Sequence, residues 1–142
     1  GNSNSAVVTE QTALLARGGS LNVNVVGNTD LKGGLIAALD GQGNLILVEH
    51  GAQGGDELNR VEPGKNYGWP IISYGEDYGG GQIGVGAAQD GMEQPLHYWV
   101  PSIAPSGLLV YSGDLFPDWQ GDIFTGSLNS DGAIFRMAPA GG

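Results

Sequence analysis

Two short stretches of this sequence hold most of the residues that could do chemistry. The first, "EHGAQGGDELNRVEPGKNYGWP" (49–70), places His50 shortly before the adjacent carboxylates Asp56 and Glu57. Two neighbouring carboxylates suggest an acid–base pair, but adjacent residues on a strand point to opposite faces. We therefore do not expect Asp56 and Glu57 to act together on one bond, and the glycines around them predict a loop that aims backbone groups.

The second stretch, "HYWVPSIAPS" (97–106), is dense in aromatic residues and proline. It ends an insertion, residues 70–105, whose first half ("YGEDYGGGQIGVGAAQDG") is predicted to be flexible from its glycine content. Aromatic side chains are costly to expose in a plain linker. A long aromatic loop in a compact protein therefore predicts a segment that covers or lines a site.

The elements that position these stretches are predicted to be strands. The 142 residues include 27 Gly and 7 Pro, which favours short strands joined by tight turns. The best helix candidate is 9–17, which Gly18-Gly19 would stop. Alternating or apolar runs predict strands at residues 21–26, 34–39, 44–49, 107–112, 122–128 and 133–138.

An internal repeat organises these strands. Residues 34–64 and 107–141 both read strand, turn, strand, glycine-containing turn and a last segment, with Arg60 in register with Arg136. Two copies of one antiparallel meander are typical of two β-propeller blades, while copies of a sandwich hairpin are the alternative.

Charge and composition exclude several classes of partner. The net charge is −10, with 5 basic against 15 acidic residues, so we expect neither nucleic acid nor an anionic membrane as partner. No cysteine is present, which excludes disulfides, zinc thiolate sites and thiol catalysis. No apolar run is long enough to span a bilayer, and the first residues lack the pattern of a signal peptide.

Three segments together resemble the soluble aldose sugar dehydrogenases: "VEHGAQGGDELNRVEPGKNYGWP", "GMEQPLHYWVPSIAPSGLLVYSGDLFPDWQGDIFTGSL" and "AIFRM". The resemblance runs over about residues 39–137. It implies an all-β fold, antiparallel meanders forming part of a six-bladed propeller, and oxidation of aldose sugars to lactones. It also implies pyrroloquinoline quinone (PQQ) and calcium as cofactors.

The resemblance carries over to particular residues. Main-chain carbonyls of Gly51 and Ala52 are implied as calcium ligands, which suits a hard cation. His50, Asp56 and Ser102 are implied at the cofactor, with Asp56 either bracing the loop or reaching the site. A core position for His50, hydrogen-bonded to backbone, is the alternative. Tyr98 and Trp99 are implied as sugar-stacking rings, with a place in the blade core as the alternative for both.

The sequence departs from the family pattern at the catalytic base. The family base is a His upstream of these motifs, but no His precedes His50, and neither His50 nor His97 occupies that position. An Arg-Asn pair of the family is replaced by residues 31–34, and a downstream Arg loop is not matched. We therefore expect no catalytic residue of the family and no activity from this chain alone.

The first residues suggest a different origin. Residues 1–36 resemble repeats of filamentous haemagglutinin-type adhesins, so we expect an N-terminal β-helix-like segment followed by a partial propeller at 37–142. This predicts a fragment or fusion derived from the enzyme. The alternative is a structural or adhesive β module, and open strand edges predict a homo-oligomer in either case. By resemblance, the location is periplasmic or secreted.

Overall fold

A computed structural model of the chain describes residues 37–129 and 132–138, and the regular structure in these ranges is almost wholly strand. The elements in chain order are β1 (Ala37–Leu39), β2 (Leu45–Glu49), β3 (Asp56–Val61), β4 (His97–Trp99), β5 (Pro105–Val110), a 3-10 helix (Pro117–Trp119), β6 (Ile123–Ser127) and β7 (Ala133–Met137). The predicted helix at 9–17, the predicted strand at 21–26 and the β-helix-like segment at 1–36 lie outside the described residues.

The strands form two antiparallel sheets, with orders β1-β2-β3-β4 and β5-β6-β7. The turn from β1 to β2 is the predicted "DGQG" turn, in which Asp40 Oδ1 accepts from the backbone N–H groups of Gln42 (2.9 Å) and Asn44 (2.8 Å). Gly43 has a φ of 85°, which only glycine adopts without strain. The turn thus sets the register of Leu39 opposite Leu45.

The predicted repeat is present in the strand registers. Arg60 on β3 stands opposite Ile46, the second residue of β2. Arg136 on β7 stands opposite Phe124, the second residue of β6. The arginine of the third strand thus pairs with the second residue of the second strand in both meanders. The buried positions differ between the copies, since they are Ile46 and Val48 on β2 but Ile123 and Thr125 on β6. The strand predicted at 107–112 lies two residues earlier, at 105–110.

One hydrophobic core joins the two sheets. On β2 the residues Ile46 and Val48 are buried and their neighbours are not, as alternation requires. Strand β5 packs against β1 and β2, which brings residues of the second sheet onto the first. The buried members are Ile46, Val48, Leu58, Trp99, Ile103 and Ile123. Burial of each aliphatic side chain contributes about 1.5–3 kcal/mol.

The fourth strand of the first sheet comes from the end of a long excursion, residues 62–96. Glycine-rich composition predicts a flexible first half, but backbone hydrogen bonds fix its course. Gln53 and Glu76 bond to each other reciprocally (3.0 and 3.1 Å), and Val85 N donates to Ile71 O at 2.9 Å. Positive-φ glycines such as Gly84 form the turns that make these pairs reachable.

The excursion ends where Leu96 N donates to Leu58 O at 2.8 Å and β4 pairs with β3. Within the described residues, no helix is both long and apolar enough to cross a bilayer.

Candidate functional site

Two loops meet at one end of the first sheet. Because β2, β3 and β4 are antiparallel, the end of β2 at Glu49, the start of β3 at Asp56 and the end of β4 at Trp99 coincide. The loop after β2 contains 50–55, and the loop after β4 contains 100–104. The structure therefore brings together the two stretches that the sequence predicted to form one site.

Asp56 connects these loops. Its side chain is wholly buried, at 0% exposure. Oδ1 accepts from Gly51 N at 2.9 Å, and Oδ2 accepts from Ser102 Oγ at 2.7 Å. Oδ2 also accepts from the backbone N–H groups of Ile103 (2.8 Å) and Ala104 (3.0 Å). Of the two roles predicted for Asp56, bracing the loops is the one that this geometry supports.

Close backbone packing explains the glycines of the first loop. A Cβ added to Gly51 would lie 2.0 Å from Gly54 O, and one added to Gly55 would lie 2.3 Å from Gly75 N. Gly54 and Gly55 also have φ values of 77° and 72°. No side chain fits at Gly51 or Gly55 without movement of the backbone, so these positions require glycine.

The carbonyl oxygens of Gly51 and Ala52 are the predicted calcium ligands. Among the hydrogen bonds of the described residues, none donates to either oxygen. Both residues are half-buried, and Asp56 holds the Gly51 amide from the other side. Oxygen ligands of this kind fit a hard cation, although two carbonyls supply only part of the six to eight ligands of calcium.

Residues 37–129 and 132–138 contain no cluster of three or more His, Asp or Glu side chains that could hold a metal ion. Calcium at this position would therefore depend on main-chain oxygens and on ligands from a bound molecule. This donor set fits the implied cofactor pair, because a quinone with carboxylates supplies the missing oxygens.

His50 is exposed, and its ring is held at one nitrogen. Nε2 lies 2.8 Å from the carbonyl oxygen of Pro105, so Nε2 carries the proton and donates. This contact ties the first loop to β5 of the other sheet. In the neutral ring, Nδ1 is left as an acceptor. The alternative for His50 was a core position with a hydrogen bond to backbone. The hydrogen bond to backbone is present, but the ring lies at the surface rather than in the core.

Tyr98 and Trp99 have different surroundings. Tyr98 is 45% exposed and stacks on Tyr74, with ring centroids 3.7 Å apart and planes at 15°. Trp99 is 8% exposed and belongs to the hydrophobic core. A buried ring has no face to offer a sugar, so the core alternative holds for Trp99. Consecutive strand residues point to opposite faces, which explains why only Tyr98 remains accessible.

Ser102, which the resemblance implies at the cofactor, lies beside Asp56. Its hydroxyl donates to Asp56 Oδ2 and accepts from Ala104 N at 3.0 Å. One lone pair of the hydroxyl oxygen is left for a further contact.

A pair of carboxylates that sequence reasoning missed flanks the first loop. Glu49 and Glu57 stand directly opposite each other on β2 and β3. The buried Asn59 amide donates to both, at 2.7 Å to Glu49 and 3.2 Å to Glu57. Burial raises the pKa of Glu57, the Asn59 hydrogen bond lowers it, and the charge of Glu49 raises it further, with a raised pKa as the net result. Only the cross-strand register reveals this pair.

A small cavity of about 30 Å³ lies between this pair and the loop, lined in part by Glu49, His50, Gly51 and Glu57. The volume is enough for roughly one water molecule. A sugar or a quinone does not fit inside this cavity, so either molecule would have to lie on the surface of the two loops.

Comparison with known proteins identifies relatives of this arrangement. A profile of the family described as "Glucose / Sorbosone dehydrogenase" matches residues 8–141. The uncharacterized protein slr1608 of Synechocystis is 50% identical over 82 residues, which is 57% of this chain and 20% of that protein. Aldose sugar dehydrogenase YliI of Escherichia coli is 46% identical over 92 residues, 63% of this chain and 25% of that protein.

Solved structures agree. A crystal structure of a glucose dehydrogenase superposes with a TM-score of 0.66 at 44% identity, over 72% of this chain and 30% of that one. The apo form of the soluble aldose sugar dehydrogenase of Escherichia coli gives 0.62 at 39% identity, over 70% of this chain and 32% of that one. These similarities confirm the predicted fold class, all-β with antiparallel meanders like part of a six-bladed propeller.

The chain spans 20% and 25% of the lengths of these two curated relatives. The family match begins at residue 8 and thus runs through the predicted boundary between 1–36 and 37–142, a division that stays a prediction. By the extent of this match, the chain belongs to the glucose / sorbosone dehydrogenase family.

Proposed function

We propose that this chain carries the calcium- and quinone-holding part of a PQQ-dependent aldose sugar dehydrogenase. The observation that carries the proposal is the pair of carbonyl oxygens at Gly51 and Ala52, which accept no hydrogen bond and whose loop is fixed by Asp56. Family membership and the names of the relatives support oxidation of an aldose sugar as the reaction class, and the resemblance implies a lactone as its product.

Each residue of the site has a defined task in this proposal. Gly51 and Ala52 present their carbonyl oxygens to calcium, and His50 and Ser102 border the cofactor. Tyr98 offers the free face of its ring, opposite Tyr74, to the apolar face of a sugar. When bound, PQQ accepts the two electrons and two protons that the sugar loses on oxidation.

The proposal does not assign a general base. The ring of His50 is held by the hydrogen bond from Nε2 to Pro105 O, and the ring of His97 packs edge-on against Trp99 with ring centroids 4.7 Å apart. Neither residue occupies the position of the family's catalytic base. Removal of a sugar hydroxyl proton requires a base within hydrogen-bond reach, worth roughly a hundred- to ten-thousandfold in rate. We therefore expect these 142 residues by themselves to bind the cofactors without oxidising aldoses.

A titration and an assay on the same sample test this function. PQQ added with calcium should change the fluorescence of the tryptophans and saturate, and magnesium in place of calcium should not support binding. A dye-linked assay with glucose should stay far below the roughly ten turnovers per second of an ordinary enzyme. No binding of PQQ in the presence of calcium contradicts the proposal, and ordinary turnover contradicts the expected inactivity.

A structural or adhesive β module is the second candidate, and one observation favours it. Strand β7 is the last strand of its sheet among the described residues, and Ile134 on it is 78% exposed. An apolar edge of this kind predicts pairing with a second copy, giving a homo-oligomer. In either function we propose a periplasmic or secreted location, which the family resemblance implies. The net charge of −10 supports the proposal that neither nucleic acid nor an anionic membrane is a partner.

A further inference from the structure

The side chain of Asp56 makes hydrogen bonds that link two loops, which is a role different from contact with a cofactor. Its four hydrogen-bond donors are Gly51 N, Ser102 Oγ, Ile103 N and Ala104 N, and none of these residues belongs to a strand. The carboxylate therefore contributes nothing to the ladder of the sheet through its side chain. All of its bonds go to the two loops that carry the candidate site.

The backbone of the second loop is shaped around this carboxylate. Ile103 and Ala104 direct successive N–H groups at the same oxygen, Oδ2. Ala104 has a φ of 47°, a left-handed conformation that residues other than glycine seldom adopt. Successive N–H groups in such a turn form a concavity for an anion, and here the anion is a side chain of the same protein.

The two oxygens of Asp56 also separate its tasks. Oδ1 accepts a hydrogen bond from Gly51 N, in the loop whose carbonyl oxygens are the proposed calcium ligands. Oδ2 serves the loop that contains Ser102. The carboxylate is rigid and planar, so a fixed distance between its oxygens fixes how the two loops sit relative to one another.

We propose that Asp56 is a positioning residue that couples two loops, the calcium loop (residues 50–55) and the Ser102 loop (residues 100–104). The two loops are then held as one unit for the cofactor. The identity of the cofactor rests on the proposed function, whereas the coupling of the two loops rests only on the hydrogen bonds of Asp56. Asp56 touches neither PQQ nor sugar in this role. It acts through the Gly51 carbonyl on one side and the Ser102 hydroxyl on the other.

The variant Asp56→Asn tests the coupling, because an amide has one acceptor oxygen and one donor NH₂. With its oxygen at the Oδ2 position, where three donors converge, the amide keeps the Ser102 loop and sets NH₂ against Gly51 N–H. The link to the calcium loop is then broken selectively. The matched control is Asp122→Asn, since Asp122 is also buried (3% exposed) but pairs with Arg136 in the other sheet, at 2.7 Å.

Amide hydrogen exchange on the full chain, followed by NMR, gives a readout that needs no cofactor. In Asp56→Asn, we expect Gly51 N–H to exchange about tenfold faster or more, as loss of a hydrogen bond to a charged group requires. The amides of Ile103 and of Val48 in β2 should stay within about twofold of the wild type, as a local change implies. In Asp122→Asn, the Gly51 amide should exchange as in the wild type.

An unchanged Gly51 amide in Asp56→Asn overturns the proposal. An equal acceleration of all these amides also overturns it, since that outcome means general destabilisation.

Binding of PQQ with calcium gives the second readout. We expect the affinity to fall about tenfold or more in Asp56→Asn, the effect of one lost charge-assisted hydrogen bond, and to stay unchanged in Asp122→Asn. Equal affinity in wild type and Asp56→Asn contradicts positioning for the cofactor. If the wild type does not bind PQQ, the proposed function fails, while the exchange pattern still decides whether Asp56 couples the loops.

Discussion

The rings of Trp99 and Phe135 meet edge to face across the two sheets, with centroids 6.2 Å apart and planes at 67°. Trp99 ends β4 of the first sheet, and Phe135 lies on β7 of the second. Aromatic pairs in this arrangement add about 0.5–1.5 kcal/mol beyond the burial of their area. Trp99 therefore stabilises the contact between the sheets, which is a structural task rather than a sugar contact.

Substitution of Trp99 tests this assignment. Trp99→Ala should lower the free energy of unfolding by about 3–5 kcal/mol, the usual cost of removing a buried aromatic ring. The matched control Trp69→Ala removes a ring that is 62% exposed, and should change stability by less than about 0.5 kcal/mol. Urea denaturation followed by circular dichroism measures both. Equal stability of the two variants contradicts a core role for Trp99.

Gly51 provides a test of the close backbone packing in the loop of residues 50–55. Gly51→Ala places a Cβ 2.0 Å from the carbonyl oxygen of Gly54, so the loop must move. We expect a loss of about 1–3 kcal/mol in stability, as for overpacked sites. Gly41→Ala is the control, because a Cβ there meets nothing within 4 Å. Urea midpoints that match for the two variants show that the loop tolerates a side chain.

Glu57 should make stability depend on pH. Its pKa is raised in the folded state from a usual value of 4.5, so the folded chain binds the proton more tightly than the unfolded chain. Stability then falls as pH rises from about 4.5 through the folded pKa, and the cost is fully present above it.

The variant Glu57→Gln removes the charge facing Glu49 and keeps an oxygen for the Asn59 amide. At pH 7 it should be more stable than the wild type by about 0.2–1 kcal/mol, the size of a cross-strand charge pair at a partly exposed position. At pH 4 the difference should vanish. A Glu57→Gln gain that is the same at both pH values shows that like-charge repulsion and burial are not its cause.

Self-association should depend on the β7 edge. Ile134→Lys puts a charge on an edge strand at a site that is 78% exposed, and should shift oligomers toward monomer at micromolar concentration. Leu115→Lys makes the same change at a site 86% exposed but outside any strand, and should not. Light scattering coupled to size exclusion compares them. A monomeric wild type, or an equal effect of both variants, argues against edge pairing.

Calcium alone should bind weakly. In the proposed site Gly51 and Ala52 would supply only two carbonyl oxygens, and we expect the remaining ligands to come from PQQ. Isothermal titration without PQQ should therefore show no affinity tighter than about 10⁻⁴ M, the range of weak calcium modules. Tight binding would place calcium at other groups, and its survival in Gly51→Ala would confirm that placement.

Local sequence patterns were sufficient to predict the two meanders. Ile46 and Val48 alternate with less buried neighbours, and Arg60 and Arg136 occupy equal positions in the two copies, so strands and register follow from period and repeat. Strand β3 was not among the strands predicted from alternation and follows only from its match to β7 in the repeat. Strand β4 was not predicted at all, because the three residues His97–Trp99 are too few to show alternation. Its existence depends on pairing with β3, which is distant in sequence.

The site was predictable in its parts but not in its connections. Residue types marked Asp56 and Ser102, yet nothing near Asp56 in the sequence shows that its donors come from residues 51 and 102–104. The opposition of Glu49 and Glu57 likewise depends on strand register rather than on spacing. Trp99 is ambiguous in sequence because an aromatic ring suits a core as well as a sugar, and only packing separates the two.

The tip of the long excursion offers an experimental handle. At 79–81, three exposed glycines would each accept a Cβ with no atom within 4 Å, and Gly79 does not have a positive φ. The sequence contains no cysteine, so Gly79→Cys would create a unique thiol. A fluorophore attached there would report whether the hydrogen-bonded excursion keeps its position in solution, without a change to Asp56 or to the loops it couples.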